Sequence, residues 1–295
     1  MNGIMNIIKP PGLSSAGLVN AVKNLTGERV GHAGTLDPEA AGVLPLLVGR
    51  ATRLLDYLPG DEKEYIAEIA FTGATDTQDA QGKLVLEGRG RPGIVEMEKI
   101  LPGFTGNIRQ TPPAYSALKK NGVPLYRLAR QGMEVVSESR EIRIGSIRIL
   151  SETPDGFMIR VVCSGGTYIR TLCHDIGMRL GYPAHMRFLL RTRCCGLDIG
   201  DSCLLEEVAS ARGTDEMDRF LLPMDLPLGR FARLDVTDAY YKQARNGAAL
   251  SDEAFGRKVE EGLYRVYANG RFLGMGEKTG ARTVFRVIVL DPAVA

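Results

Sequence analysis

The chain has little of what marks metal-dependent or disulfide-stabilised proteins. Its five cysteines are an odd number without a CxxC spacing, so the sequence indicates neither a disulfide framework nor a zinc site. Its three histidines show no HxxxH or HExxH spacing. We therefore expect reduced, mostly buried thiols and no metal.

Long apolar runs are also missing. No stretch reaches the roughly 18 apolar residues that a membrane helix needs. Lys9, Pro10 and Pro11 interrupt the early apolar stretch, which is not typical of a signal peptide. We expect a cytoplasmic protein without a membrane partner.

The net charge of +2 is too small to indicate a nucleic-acid partner, but the charges are unevenly distributed. Residues 107–133 carry basic and no acidic side chains, residues 160–193 carry arginines against the single carboxylate of Asp175, and residues 201–227 are acidic. Such segregation can present a positive face to a polyanion. The alternative, that these arginines lie on solvated helix faces, remains open on charge alone.

The hydrophobic pattern predicts an α+β fold. A short strand, a Pro-Pro-Gly turn and a helix capped by Ser14 or Ser15 open the chain. Alternation predicts strands at 64–71, 141–150 and, less cleanly, 157–166, and helices are expected near 95–101, 124–131, 169–180 and 204–211. We expect a mixed, mostly antiparallel central sheet flanked by helices.

A domain boundary is expected near Gly229, where prolines and a glycine cluster in "LPMDLPLGRF". Beyond it, two alternating runs flank Asn269 and Gly270, and a third run ends at Leu290. This is the pattern of a hairpin array or small β-barrel. The expected organisation is a first domain at 1–229 and a small β-rich domain at 230–295.

Asp37 in "GTLDPEA" has two interpretations. Asp37 at the N-cap, Pro38 at the first helical position and Glu39 in the first turn are typical of a helix start. Alternatively, the glycines at 31, 34 and 42 leave room for a ligand, and His32 could reach the same pocket. In that case the Asp37 carboxylate does chemistry.

Ordered motifs favour the second interpretation. "GHAGTLDPEAAGVLPLLVGRATR" resembles the signature of the TruB-type tRNA pseudouridine-55 synthases. Further blocks of that family follow in order: "KPPGLSS" at Lys9, "DEKEY" at Asp61, "GATDTQDAQG" at Gly73, "TPPAYSALKKNGVPLYRLARQG" at Thr111, "SGGTYIRTLCHDIG" at Ser164 and "LLRT" at Leu189. The resemblance covers about 4–193 well and implies a pseudouridine synthase fold with a PUA-like C-terminal domain.

The resemblance also implies roles in the reaction. Asp37 would be the catalytic nucleophile on a uridine, paired with Arg170. Tyr65 would stack on the flipped base, and Tyr168 would complete the pocket. A carboxylate beside a guanidinium and an aromatic face for an extruded base fit this isomerisation, which requires no cofactor.

Supporting roles follow from the same resemblance. Leu189 would pack against the base and His32 would support the RNA distortion that exposes it. Arg53 stands where the family usually has lysine, which keeps the charge but alters hydrogen-bond geometry. Leu190 stands where the usual "LRRT" has its first arginine, so one basic residue is missing. These departures concern contacts with the RNA backbone and leave the chemistry intact.

The expected partner is tRNA, recognised through the shape of its T-arm stem-loop by a monomeric enzyme. Lys119, Lys120 and Arg127, in the first basic stretch, are the expected phosphate contacts. Each of them could equally be an idle surface charge.

Three other functions remain open. The scaffold could be a tRNA-binding or folding-assistance module without turnover. It could be another uridine-modifying enzyme, although a methyltransferase would be expected to show a glycine-rich cofactor loop, and none is evident. A synthase guided by a separate RNA is disfavoured because long basic extensions are absent.

Overall fold

The computed structural model describes residues 1–60, 62–116, 118–120, 122–131, 133 and 137–290. The strands are β1 Gly3–Lys9, β2 Val30–His32, β3 Ala41–Val48, β4 Lys63–Ala70, β5 Gly73–Thr75, β6 Leu84–Glu87, β7 Gly106–Gln110, β8 Lys119–Lys120, β9 Val123–Pro124, β10 Arg140–Thr153, β11 Gly156–Cys163, β12 His185–Cys194, β13 Leu197–Asp198, β14 Ala232–Val236, β15 Gly262–Ala268, β16 Arg271–Thr279 and β17 Arg282–Ile288.

The α-helices are α1 Ser15–Thr26, α2 Ile94–Ile100, α3 Leu125–Arg130, α4 Ile169–Leu180, α5 Leu205–Ser210 and α6 Tyr241–Arg245. Short 3-10 helices occupy Gly49–Tyr57, Leu101–Phe104, Ile199–Asp201, Asp215–Phe220, Leu226–Leu228, Asp238–Tyr240 and Asp252–Phe255. In the described part of the chain, no helix is long and apolar enough to span a membrane.

Within the described residues, the main sheet has nine strands. Seven follow the order β1-β3-β12-β4-β11-β10-β7, with β2 paired to β3 and β13 paired to β12. Every pairing is antiparallel except that of β3 with β12, where Ala41 and Gly42 lie opposite Leu190 and Arg191. The predicted α+β class and mostly antiparallel central sheet are confirmed.

The predicted elements lie close to the observed ones. The three predicted strands correspond to β4, β10 and β11, and the four predicted helices to α2, α3, α4 and α5. Of the two proposed caps for α1, Ser14 is the N-cap, because its side chain accepts a hydrogen bond from Gly17 N at 2.9 Å.

The prediction that Asp37 caps a helix is wrong. Pro38 and Glu39 form a turn, and the chain then enters β3, in which residues 42–48 are all buried. A short, continuously apolar run fits a strand buried on both faces as well as it fits a helix. Pro45 is the signal against the helix, because proline in a helix interior removes a hydrogen bond and clashes with the preceding turn.

The glycine at 42 likewise makes room for the chain and not for a ligand. Gly42 has a φ of 110°, and a Cβ built there would lie 2.1 Å from the carbonyl oxygen of Arg191. The close parallel approach of β3 and β12 therefore requires glycine at this position.

The C-terminal sheet has the order β14-β15-β16-β17. The predicted turn at Asn269 and Gly270 joins β15 to β16, and both residues have positive φ, 50° and 73°, as a type I′ hairpin turn requires. Leu234, Val266 and Leu273 belong to a hydrophobic core of this part, while Met275 packs with Val43 of the main sheet. The boundary near Gly229 stays a prediction.

Candidate active site

The pair of Asp37 and Arg170 lies at the centre of the site. Asp37 occupies the turn between β2 and β3, and Arg170 lies in the first turn of α4. Arg170 Nε is 3.0 Å from Asp37 Oδ2, and Arg170 Nη2 donates to Asp37 Oδ1 at 3.2 Å. Both carboxylate oxygens therefore face one guanidinium, and the contact from Nη2 is a hydrogen bond, whereas that from Nε is an ion-pair contact without one.

Arg170 is held from several sides. Its Nη1 donates to the carbonyl oxygen of Thr77 at 3.2 Å and its Nη2 to that of Tyr115 at 3.0 Å. Its Nη1 also lies 3.5 Å from Asp79 Oδ2. The Arg170 side chain is 5% exposed, whereas that of Asp37 is 41% exposed. The cation is fixed, and its partner carboxylate is open to a substrate.

The pKa of Asp37 is raised above its usual value. Burial is the largest cause, because desolvation disfavours the charged carboxylate. Arg170 lowers the pKa, Asp79 raises it and Lys9 lowers it. The effect of burial on this pKa outweighs that of the Arg170 guanidinium.

Lys9 fixes the backbone beside Asp37. Its buried ammonium group donates to the carbonyl oxygens of Pro10, Leu13 and Pro38 at 2.7–2.8 Å, so it ties the N-terminal turn to the residue after Asp37. Burial lowers the pKa of Lys9 to about 8, while Glu39 and Asp37 act in the opposite direction. This role explains why lysine opens the "KPPGLSS" motif.

A cavity of about 310 Å³ opens at this pair, within the size range of small-molecule sites. Asp37, Tyr65, Tyr168, Arg170 and Leu189 all line it, so the structure brings together five predicted site residues from four separate segments. The cavity is also lined by residues that the sequence reasoning did not single out: Thr35, Leu36, Lys63, Leu118, Arg140, Gly166, Thr167 and Ile169.

Tyr65, on β4, presents an almost buried ring to the cavity, with 7% exposure. Burial raises the pKa of Tyr65, and the guanidinium of Arg191 beside its hydroxyl works in the opposite direction. The phenol therefore stays protonated over the physiological range, which suits a stacking surface and not a base.

Arg191 is a structural cation. It is fully buried, lies opposite Tyr65 in the β4–β12 ladder, and donates from Nε to Val43 O at 2.8 Å and from Nη2 to Gly34 O at 2.9 Å. The sequence grouped it with arginines that hold RNA or face solvent, and for Arg191 both interpretations are wrong. Nothing in a linear charge count separates it from exposed neighbours.

His32 lies on β2 and does not line the cavity. Burial lowers the pKa of His32, and Arg191 lowers it further, so the imidazole is neutral near pH 7. Its Nδ1 is buried without a hydrogen-bond partner in the described part of the chain. The proposed role of His32 in RNA distortion stays a prediction.

Asp79 is a second carboxylate at Arg170, and the sequence did not predict this role. Its Oδ1 accepts from Thr77 Oγ1 at 2.6 Å and from Gln81 N at 3.0 Å, which leaves Oδ2 facing Arg170. Asp79 belongs to the block "GATDTQDAQG", so its presence in an ordered motif was the available signal.

Of the expected phosphate contacts, Arg53 and Arg127 do not line this cavity. Arg53 donates to Ile288 O at 3.1 Å and lines, with Arg29 and Arg50, a second cavity of about 300 Å³. Arg127, on α3, is exposed. The side chains of Lys119 and Lys120 lie outside the described part of the structure, although their backbones form β8.

In the ranges that the structure describes, no group of three or more histidine, cysteine, aspartate or glutamate side chains could hold a metal ion.

Solved structures share the whole architecture. A chain of a Cbf5–Nop10–Gar1 complex superposes with a TM-score of 0.75 at 25% identity, over 99% of this chain and 86% of that one. A chain of an H/ACA RNP bound to a substrate RNA containing 2′-deoxyuridine superposes with a TM-score of 0.73 at 23% identity, over 98% and 85% of the two chains. The fold is that of the pseudouridine synthases, as predicted.

The chain belongs to the TruB family of pseudouridylate synthases. The N-terminal domain of that family matches residues 22–169, and the tRNA pseudouridylate synthase B C-terminal domain matches residues 170–229. A tRNA pseudouridine synthase B of Clostridium tetani is 36% identical over 98% of this chain and 99% of its own length. One of Clostridium kluyveri is 42% identical over 94% and 95% of the two chains.

Proposed function

We propose that this protein isomerises a uridine in tRNA, position 55 of the T loop, to pseudouridine, with Asp37 as the nucleophile. The observation that carries the proposal is the Asp37–Arg170 ion pair at a cavity walled by Tyr65 and Tyr168. Membership of the family and the names of the curated relatives support the tRNA substrate.

The reaction is an isomerisation, so it needs no net oxidant, reductant or group donor. The bond from N1 to C1′ breaks, the base rotates, and a bond from C5 to C1′ forms. The C5 proton passes to solvent and N1 takes up a proton from solvent, so the product is an isomer of the substrate. Asp37 attacks either C1′ or C6 and is released at the end. Only its ionised form is a nucleophile, and Arg170 favours that form against the effect of burial.

The cavity walls suit an extruded base. A base in a helical stack is out of reach, and a stacking contact returns about 1–3 kcal/mol of the cost of unstacking it. Tyr65 supplies a nearly buried ring, and Leu189 an apolar surface beside it. Protection from water also strengthens the interaction of Arg170 with the carboxylate.

We assign binding of the RNA backbone to four basic residues: Arg53, Arg127, Lys119 and Lys120. Arg53 shares its cavity with Arg29 and Arg50, a concentration of positive charge suited to phosphate. Arg53 also contacts the C-terminal sheet, so the accessory PUA-like domain at 230–295 would help to place the RNA. We propose a monomer that acts in the cytoplasm, where the tRNA substrate is found.

Release of tritium from tRNA labelled at C5 of uridine tests the proposal. Wild-type protein should release label to water in proportion to the pseudouridine formed, and Asp37→Asn should release none. Tight tRNA binding without release by the wild-type protein would instead favour a binding or folding-assistance module. Release that accompanies base loss or methylation would favour another uridine-modifying enzyme.

A further inference from the structure

Gln110 makes an unusual contact with the main chain of the active-site segment. It ends the edge strand β7 and is 2% exposed. Its Oε1 accepts from Tyr168 N at 2.8 Å, and its Nε2 donates to Tyr168 O at 3.0 Å. A carboxamide can make both hydrogen bonds, whereas an ionised glutamate of the same length can only accept.

The contacted residue is the one at which α4 begins. Tyr168 is the N-cap of α4, with φ −98° and ψ 109°, and its own side chain makes no capping hydrogen bond. Its carbonyl oxygen also accepts from Leu172 N at 3.0 Å, the first hydrogen bond of the helix. Gln110 therefore fixes, from the sheet, the residue that sets the start of the helix.

Arg140 holds the ring of the same residue. It is the register partner of Gln110 on β10, so the two side chains project from the same face. Its guanidinium carbon lies 5.0 Å from the centroid of the Tyr168 ring, and Nη2 donates to the carbonyl oxygen of Gly166. The cross-strand pair of Gln110 and Arg140 thus contacts both the main chain and the side chain of Tyr168.

The held segment carries two elements of the site. The Tyr168 ring lines the cavity, and Arg170 follows two residues later in the first turn of α4. Its two short contacts with Asp37, at 3.0 and 3.2 Å, depend on where that turn begins. Misplacement of catalytic groups by about 1 Å can cost about 100-fold in rate.

We infer that Gln110 is a positioning residue for the reaction: through the main chain of Tyr168 it sets the placement of the aromatic wall and of Arg170 against Asp37. Gln110 need not touch the substrate. This inference deepens the proposed function and rests on it.

The test compares Gln110→Leu and Gln110→Glu with Asn6→Leu. Asn6 is also 2% exposed, donates from Nδ2 to Asp198 O at 2.9 Å and does not line the cavity, so its replacement removes a comparable buried hydrogen bond. At saturating enzyme, the single-turnover rate should fall about 10- to 100-fold in both Gln110 variants. Affinity for tRNA should stay within about threefold, and Asn6→Leu should keep the wild-type rate.

A pH profile separates positioning from general destabilisation. Because Arg170 lowers the pKa of Asp37, loosening that contact should move the acid limb of the single-turnover rate to higher pH in the Gln110 variants alone. The inference would be overturned if Gln110→Glu kept both the wild-type rate and the wild-type pH of the acid limb. So would an equal loss of rate in folded Asn6→Leu.

Hydrogen exchange tests the inference without activity. The peptide covering residues 164–170 should lose protection in folded Gln110→Leu and Gln110→Glu and keep it in Asn6→Leu. Unchanged protection in Gln110→Glu would overturn the inference even if Gln110→Leu failed to fold. Absence of product from the wild-type protein would refute the proposed function alone, because the exchange measurement would still stand.

Discussion

One guanidinium group serves two carboxylates: Arg170 Nη1 lies 3.5 Å from Asp79 Oδ2, while Nε and Nη2 face Asp37. Asp79 has only 18% of its side chain exposed, and its Oδ1 is occupied by Thr77 and Gln81. Arg170 is therefore anchored on one side and presents the other to the open carboxylate.

Asp37→Asn should abolish pseudouridine formation and leave tRNA affinity within a few fold, because it removes the reacting carboxylate and keeps its size. Since Asp37 caps no helix, the melting temperature should stay within a few degrees of wild type. Tritium release, tRNA binding and thermal unfolding measure the three quantities. Retained turnover would refute the role of Asp37, and loss of folding would show that it is structural.

Asp79→Asn should reduce the single-turnover rate about 10- to 100-fold, because Arg170 loses an anchoring charge. Asparagine can still accept from Thr77 and Gln81, so the loop should keep its shape. Removing the Asp79 charge also lowers the pKa of Asp37, so the acid limb should move to lower pH. Glu216→Gln, which breaks an exposed ion pair with Arg219, is the matched control and should leave rate and limb unchanged.

The rate should depend on pH through Asp37. The pKa of Asp37 is raised, so the ionised fraction and the single-turnover rate should increase with pH through a value above the usual aspartate pKa and then level off. Arg170→Gln removes a charge that lowers this pKa, so its limb should lie at higher pH than that of wild type. A limb that stays in place in Arg170→Gln would show that Asp37 does not control it.

Comparison of Tyr65→Phe with Tyr65→Leu should separate the contribution of the aromatic ring to the rate from that of the hydroxyl group. Phenylalanine keeps the aromatic face and should retain the rate within about tenfold. Leucine removes the face, and the loss of about 1–3 kcal/mol of stacking should lower the single-turnover rate about 10- to 100-fold. Equal rates in the two variants, measured with matched folding stability, would contradict a stacking role.

Lys9 should make stability depend on pH at the alkaline side. Its pKa is lowered to about 8 in the folded chain, so the unfolded chain binds the proton more tightly, and the free energy of unfolding should rise between about pH 8 and pH 10.5. Lys9→Met should lose this rise, on the order of 1–3 kcal/mol, because it has no group to titrate. The free energy of unfolding of both proteins is measured as a function of pH. If it changes by the same amount in the two proteins across this range, the effect of burial on Lys9 is contradicted.

Much of the local structure is determined by the sequence alone. Ser14 caps α1, and Asn269 and Gly270 form the turn between β15 and β16. Both features were predictable because a helix cap and a hairpin turn depend on the short-range backbone preferences of a few residues. The ordered motifs also predicted Asp37, Tyr65 and Arg170 as site residues, and the fold brings these three residues to one cavity.

Only the tertiary structure decided how these groups are held. Residues 37–39 satisfy the local rules for a helix start, while residues 42–48, with Pro45 among them, fit a buried strand better. Pairing of β3 with β1, β2 and β12 determined the outcome. Gln110 meets Tyr168 across 58 positions, and Asp79 meets Arg170 across 91. In the sequence, Arg191 cannot be distinguished from a surface arginine, and only the tertiary structure shows that it is buried. Contacts at such separations depend on packing, which no local pattern contains.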